Sequence, residues 1–218
     1  MIWLARKRVR GSWSVWLLSG LLTVGAIGMV FPIVWTLISS FKTPSEIMAY
    51  PPTFLPREFT LENYQKLVQA VPFGRYYANS SIIAVITTGA VLVTSSLGGF
   101  LFDKYDFKGK SILFMLVLAN LMIPFEVILV PLYKICHSVG LTGNYWGLII
   151  PFIVSPFGLY LMKQFCHGIP VELMEAAFLD GCSDLGVFAR VILPQMKPAL
   201  SALAIFTFMG NWNSYIWP

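Results

Sequence analysis

Charge is what this chain has least of. Charged residues make up 11% of its 218 positions, against about 25% in soluble domains, so an ordinary water-soluble globule is excluded. Cysteine is scarce too. Cys136, Cys166 and Cys182 are odd in number and form no C-x-x-C, which argues against a disulfide framework and a thiolate zinc site. The two histidines, His137 and His167, fall on opposite faces of the topology drawn below and cannot share a metal. There is no Walker A loop, so ATP is not bound by that route, and there is no repeat or low-complexity tract. Away from the ends of the apolar runs, Glu126 alone among Asp, Glu, Lys and Arg is present. A membrane-embedded enzyme would need convergent acid, base, metal or nucleophile groups there. A secondary transporter would show charged or broken-helix elements repeated in two halves, and none is found. The net charge of +5 invites nucleic acid as a partner, but in an apolar chain it more often reflects basic residues retained on the cytoplasmic side; no nucleic-acid partner is expected.

What is present is apolar. Hydrophobic residues reach 57%, and with about 20 residues needed per span the length allows five or six membrane helices in lipid and no separate soluble domain. The reading is an all-α, polytopic helical bundle forming one transmembrane domain over 1–218, with spans at about 13–41, 79–102, 111–133, 145–165 and 198–218. The first run is roughly twice the 7 to 15 residues of a signal-peptide core and is read as retained. Residues 42–75 form a proline-rich outer link in which Thr60–Tyr64 either opens a short interfacial helix or lies as a loop on the membrane surface. Thr87, Thr88, Gly89, Ser95, Ser96 and Gly99 make the second span suited to close helix packing. The third holds Asn120, Pro124, Glu126 and Pro131. As one continuous helix it would put Glu126 ~10 Å from the outer end, either on a solute pathway or bonded to water or to backbone freed by Pro124. Pro151 and Pro156 should kink the fourth span. The fifth would cover ~31 Å, with Asn211, Trp212 and Asn213 ~20 Å from its inner end, facing a solute pathway or bonded to neighbouring helices.

The basic residues sort by side. Arg6, Lys7, Arg8, Arg10, Lys104, Lys108, Lys110, Lys163, Arg190 and Lys197 fall inside, against Lys42, Arg57, Lys66, Arg75 and Lys134 outside, ten and five of the fifteen. That bias places the N-terminus in the cytoplasm. It also places there the loop 166–197, where acidic, basic and helix-punctuating residues cluster between two apolar blocks. Pro170 can open a short helix with a stripe of Val171, Met174 and Phe178 beside Glu172 and Glu175. Asp180-Gly181 stops it. Ser183 can cap a second helix with Leu185, Phe188 and Ile192 on one face, and Pro194 and Pro198 punctuate the exit. Two short amphipathic helices elbowed at a glycine suit a grip by something in the aqueous phase.

Glu175-Ala176-Ala177, Gly181 four positions on, and Val191-Ile192-Leu193-Pro194 after nine more residues closely resemble the E-A-A-x3-G-x9-I-x-L-P signature of binding-protein-dependent ABC importer permeases, with Val191 in place of isoleucine. Ile169-Pro170-Val171-Glu172-Leu173, Lys197-Pro198-Ala199-Leu200, Trp212-Asn213 and Trp217-Pro218 extend the match. So do Pro72 to Tyr76 with Asn79-Ser80, and Ile123-Pro124 through Pro131-Leu132-Tyr133. Together these resemble the maltose-type carbohydrate branch.

The resemblance implies a type I importer permease, not an enzyme, in the bacterial inner membrane. It would pair with a second, homologous permease and receive solute from an extracytoplasmic binding protein. Two ATP-binding subunits would carry ATP and Mg, this chain binding no cofactor. Glu175, Ala176, Ala177, Asp180 and Gly181 would form the coupling helix that docks on an ATPase. Glu126, Asn211, Trp212 and Asn213 are the solute-pathway candidates, with a sugar as cargo or alternatively a peptide, polyamine or phosphate ester. Such subunits usually carry six spans, so on this reading the chain is truncated after the fifth.

Overall fold

A computed structural model describes residues 13–217. Arg6, Lys7, Arg8, Arg10 and Pro218 lie outside the described residues, and with them most of the charge that fixed the sidedness of the first span. The chain divides into two compact units, Met1–Gly74 and Arg75–Pro218. Helix is the only regular secondary structure among the described residues, with no strand among them.

The first unit holds α1 (Trp13–Ser39), α2 (Pro44–Ile47) and α3 (Glu62–Ala70). The 27 residues of α1 extend about 40 Å, enough to cross the hydrocarbon layer. Its window Val15–Ser39 has a mean hydropathy of 2.2 and holds no buried residue, as a helix facing lipid would. The link after it is tightly built. Asn63 Nδ2 donates to the carbonyls of Ser40 and Lys42 at 3.0 and 2.8 Å, and the buried Lys42 ammonium lies over the Trp35 ring at 4.6 Å and donates to Thr53 O. Glu46 accepts from Thr53 Oγ1 at 2.6 Å and from the Arg57 N–H at 2.9 Å. These donors hold its carboxyl below the usual value of 4.5, the Thr53 hydroxyl first among them. The helix expected from Thr60 forms, and Thr60 Oγ1 takes the N–H of Glu62 at 3.1 Å.

The second unit is organised on α4 (Phe73–Lys104), an unbroken 32-residue helix about 48 Å long. Its small residues let other elements close on it. A Cβ on Gly99 would lie 2.5 Å from Met162 Cβ and 2.7 Å from Lys163 N, and Gly158 in turn sits against Ser95 Oγ. Past α4 come α5 (Lys110–Asn120), α6 (Phe125–Ser138), α7 (Trp146–Ile149) with a 3-10 turn Ile150–Phe152, and α8 (Pro156–His167). Then follow α9 (Glu172–Leu179), α10 (Asp184–Val187), a π-helical turn Phe188–Ile192, α11 (Leu193–Gln195) and α12 (Lys197–Trp212).

Two of the expected spans are not single continuous helices. The stretch 111–133 is not one helix, because α5 and α6 meet at 106° across a break of four residues. Pro124 bars helical conformation from the residue before it and stands as the N-cap of α6. The fifth span stops at Trp212, about 24 Å of helix, and Asp184–Gln195 bends by 78° into it. The fourth does kink, by 40°, where Ser155 caps α8 by accepting the Gly158 N–H at 3.0 Å and Thr94 Oγ1 of α4 donates to Ile153 O at 2.6 Å. Among the described residues two helices are long and apolar enough to cross a membrane alone, and up to five spans result if each bent pair counts as one. The buried core of this unit joins α4, α8, the segment 169–196 and α12 through Phe100, Met162, Cys166, Met174, Ile192 and Leu203.

Candidate functional site

The segment 169–197 folds as two short helices around a glycine elbow. Gly181 adopts φ +80, a left-handed conformation open to glycine without strain. Gly181 N donates to Phe178 O at 3.0 Å and Cys182 N to Ala177 O at 3.0 Å, the paired bonds of a Schellman stop. Ser183 then caps α10, its Oγ accepting the Gly186 N–H at 3.3 Å. The first helix begins at Glu172 with Val171 as N-cap, two residues beyond the start expected at Pro170.

The faces differ from the spacing rule. Met174 and Ala177 are buried, while Val171 and Phe178 are 50% and 41% exposed. The Schellman turn folds the second helix back over the Met174–Ala177 side, which leaves Phe178 to the rim. On the second helix Phe188 and Ile192 are buried as expected. Leu185, however, is 68% exposed, and Val187 is buried instead. Of the proposed docking residues, Glu175, Ala176, Asp180 and Gly181 are exposed. Ala177 faces inward at 8% exposure, so its small side chain serves the segment's own packing. Beside them Leu179 stands 90% exposed at the elbow, an apolar knob that the periodic pattern did not single out.

The far end of α4 meets a cavity of about 490 Å³ whose walls include Phe125, Phe152, Ser155, Asn211, Trp212 and Trp217. Its lining carries no charged side chain. Asn211 and Trp212 both line it. The Asn211 side-chain amide donates to Thr207 O within its own helix at 2.8 Å. The Trp212 ring stacks on Phe208 at 5.8 Å and meets Tyr77 edge-on at 5.1 Å. Asn213 is the C-cap of α12 and does not line the cavity. Glu126 does not line it either. It sits exposed in the first turn of α6, where a carboxylate is favoured by the helix dipole. Its expected depth of ~10 Å falls away with the continuous helix it assumed.

Trp217 was missed as a site residue. Its Nε1 donates to Gly147 O at 3.1 Å, and its ring meets Phe125 and Phe152 edge-on at 6.2 and 6.1 Å. Only the fold brings these rings from three separate segments together.

Comparison with known proteins places the chain. Residues 95–218 match the family described as "Binding-protein-dependent transport system inner membrane component". An arabinooligosaccharides transport system permease protein, AraQ, of Halalkalibacterium halodurans is 36% identical over 209 residues, covering 93% of this chain and 75% of that protein. The protein of the same name from Bacillus subtilis is 36% identical, with 87% and 68% covered. A diacetylchitobiose uptake system permease protein, NgcG, of Streptomyces coelicolor is 31% identical, with 91% and 66% covered. In fold, the chain superposes on a chain of a bacterial ABC transporter involved in the import of the acidic polysaccharide alginate with a TM-score of 0.83 at 23% identity, covering 92% of this chain and 71% of that one. Members of the family are multi-pass inner-membrane permeases rather than enzymes, and work with a second permease, separate ATPase subunits and a binding protein. The chain belongs to the binding-protein-dependent transport system inner membrane components, the permease subunits of ABC importers.

Proposed function

We propose that this chain lines one half of the path of an ATP-driven saccharide importer and takes its energy from an ATPase gripping the elbow 172–181 on the cytoplasmic face. The observation that carries the reading is the form of that elbow. Glu175, Ala176, Asp180, Gly181 and Leu179 stand exposed on a turn whose underside, Met174 and Ala177, is buried in the body of the chain. A surface that is apolar at its knob and acidic at Glu175 and Asp180 suits a basic-rimmed groove. Because its underside is packed, a push on it is passed inward. ATP and Mg belong to the partner subunits in this scheme, and ATP-driven closure of the ATPase pair moves the elbow.

A neutral saccharide is favoured as cargo by the cavity, where aromatic faces stand beside amide and hydroxyl groups, the pairing of apolar walls with a few polar groups that small-molecule sites use. A polyamine would call for carboxylates, and none lines the wall. The names of the relatives, which concern arabinooligosaccharides, diacetylchitobiose and, in a Rhizobium radiobacter protein 30% identical to this chain, lactose, point the same way. The test is copurification. The detergent-solubilised chain brings down an ATPase, and Glu175→Lys and Gly181→Trp each lose it. Retention of the ATPase by both variants would refute docking at the elbow.

A further inference from the structure

The last turn of α4 holds an arrangement that the docking reading does not use. The Asp103 and Lys104 side chains are only 5% and 9% exposed and pair at 3.2 Å. Lys104 Nζ also donates to Ile169 O at 2.7 Å, at the start of the docking segment. The next residue, Tyr105, donates its hydroxyl to Asp184 Oδ1, in the first turn of α10 beyond the elbow. Burial, and then Asp184, push the phenol up to about 12, so it stays a donor at physiological pH. Its ring rests edge-on against Phe100 at 5.3 Å, which leans on Phe188 at 5.3 Å. One turn back, Gly99 lies against the backbone of Met162 and Lys163. Two successive side chains therefore grip the segment on either side of the Gly181 elbow. Burying an ammonium is costly unless it is paired and bonded, and here both conditions are met by the segment and its neighbour.

The covalent exits from the segment make poor levers. Backward along the chain, α8 ends at a 40° break; forward, the helix bends by 78° into α12. By contrast α4 is unbroken from Lys104 to Phe73, and its Ser80, Ile83 and Val91 line the cavity. The 24 residues from Lys104 back to Ser80 are about 36 Å of uninterrupted helix.

We propose that Lys104 and Tyr105 are positioning residues of energy coupling, fastening the docking segment to α4 so that a displacement at the elbow moves the cavity wall through that helix. The proposal rests on the elbow being the ATPase dock. Nothing in it requires Lys104 or Tyr105 to touch the ATPase or the solute.

The test uses the assembled importer, purified through a tag on this chain and reconstituted in liposomes with its binding protein. Cys136, Cys166 and Cys182 are replaced by serine, and Ser80→Cys serves as the reporter. The labelling rate of that cysteine by a membrane-impermeant maleimide is read without nucleotide and after trapping with ATP and vanadate. The parent is expected to change its rate on trapping. In Lys104→Met/Tyr105→Phe the change shrinks at least about fivefold while the ATPase still copurifies, and Lys104→Arg restores it. Tyr105→Phe alone keeps the ring on Phe100 and gives a partial loss. An undiminished change in the double variant, a parent showing no change, or collapse of the whole assembly in Tyr105→Phe would each overturn the proposal. Failure of the dock itself is distinguishable, since it appears as an ATPase retained by Glu175→Lys and Gly181→Trp.

Discussion

Gly99→Ala perturbs a close approach between α4 and α8 in the second unit. The added Cβ would meet Met162 Cβ at 2.5 Å and Lys163 N and Met162 C at 2.7 Å. Two of those three atoms are backbone, so no rotamer change relieves the clash. Ordinary carbon contact is about 3.5 to 4.0 Å, so α4 and α8 must part by on the order of 1 Å. Overpacking of this kind costs about 1 to 3 kcal/mol, and rigid neighbours put it toward the upper end. The alanine returns about 1 kcal/mol of helix propensity, leaving a net loss of about 1 to 2 kcal/mol. Gly89→Ala in the same helix is the control, since nothing lies within 4 Å of its added Cβ. It gains the propensity alone, and the two variants should therefore differ by about 2 to 3 kcal/mol. At about 2 to 4 °C per kcal/mol for a chain of this size, thermal unfolding in detergent should separate them by ~5 to 10 °C, Gly99→Ala being the less stable. Equal midpoints would refute the claim that α4 and α8 touch through Gly99.

Further outcomes follow from the same geometry. Gly181→Ala puts a side chain on a left-handed residue, costs about 1 to 2 kcal/mol, and should weaken ATPase retention with little change in overall melting. Trp217→Ala removes the ring shared by Phe125 and Phe152 and the bond to Gly147 O; uptake of labelled oligosaccharide should fall about tenfold or more, while Glu126→Gln, which lines no part of the cavity, leaves uptake within about twofold. Because the Glu46 carboxyl is held below 4.5, its contribution is complete above that pH and is lost as pH falls through the lowered folded value. Protease cleavage between Thr53 and Arg57 should accordingly rise only in acid, and Glu46→Gln should be cleaved already at neutral pH.

The sequence revealed most where one element answers to one local rule. The two long apolar helices, the Ser183 cap and the stop at Gly181 all follow from short-range chemistry. So does the kink near Pro156. What it hid depends on atoms distant in the chain. Pro124 was visible, but whether a proline bends a span or breaks it through 106° is decided by what packs beside it. The buried faces of α9 and α10 depend on how the turn at Gly181 sets the two short helices against the rest of the unit, which a fixed 3.6-residue period cannot foresee. The cavity wall joins Phe125, Phe152 and Trp217, and the grip of Lys104 and Tyr105 on Ile169 and Asp184 spans 65 and 79 residues. No pattern within a window reports such pairs.

The central claim is that the elbow of this permease is where an ATPase takes hold, and a photo-crosslinker at Leu179, 90% exposed there, tests it most directly. In membranes of the assembled importer, irradiation should join Leu179 to an ATP-binding subunit, and the same probe at Val139, 62% exposed at the end of α6, should not. Crosslinking of the ATPase from Val139 and none from Leu179 would contradict the account.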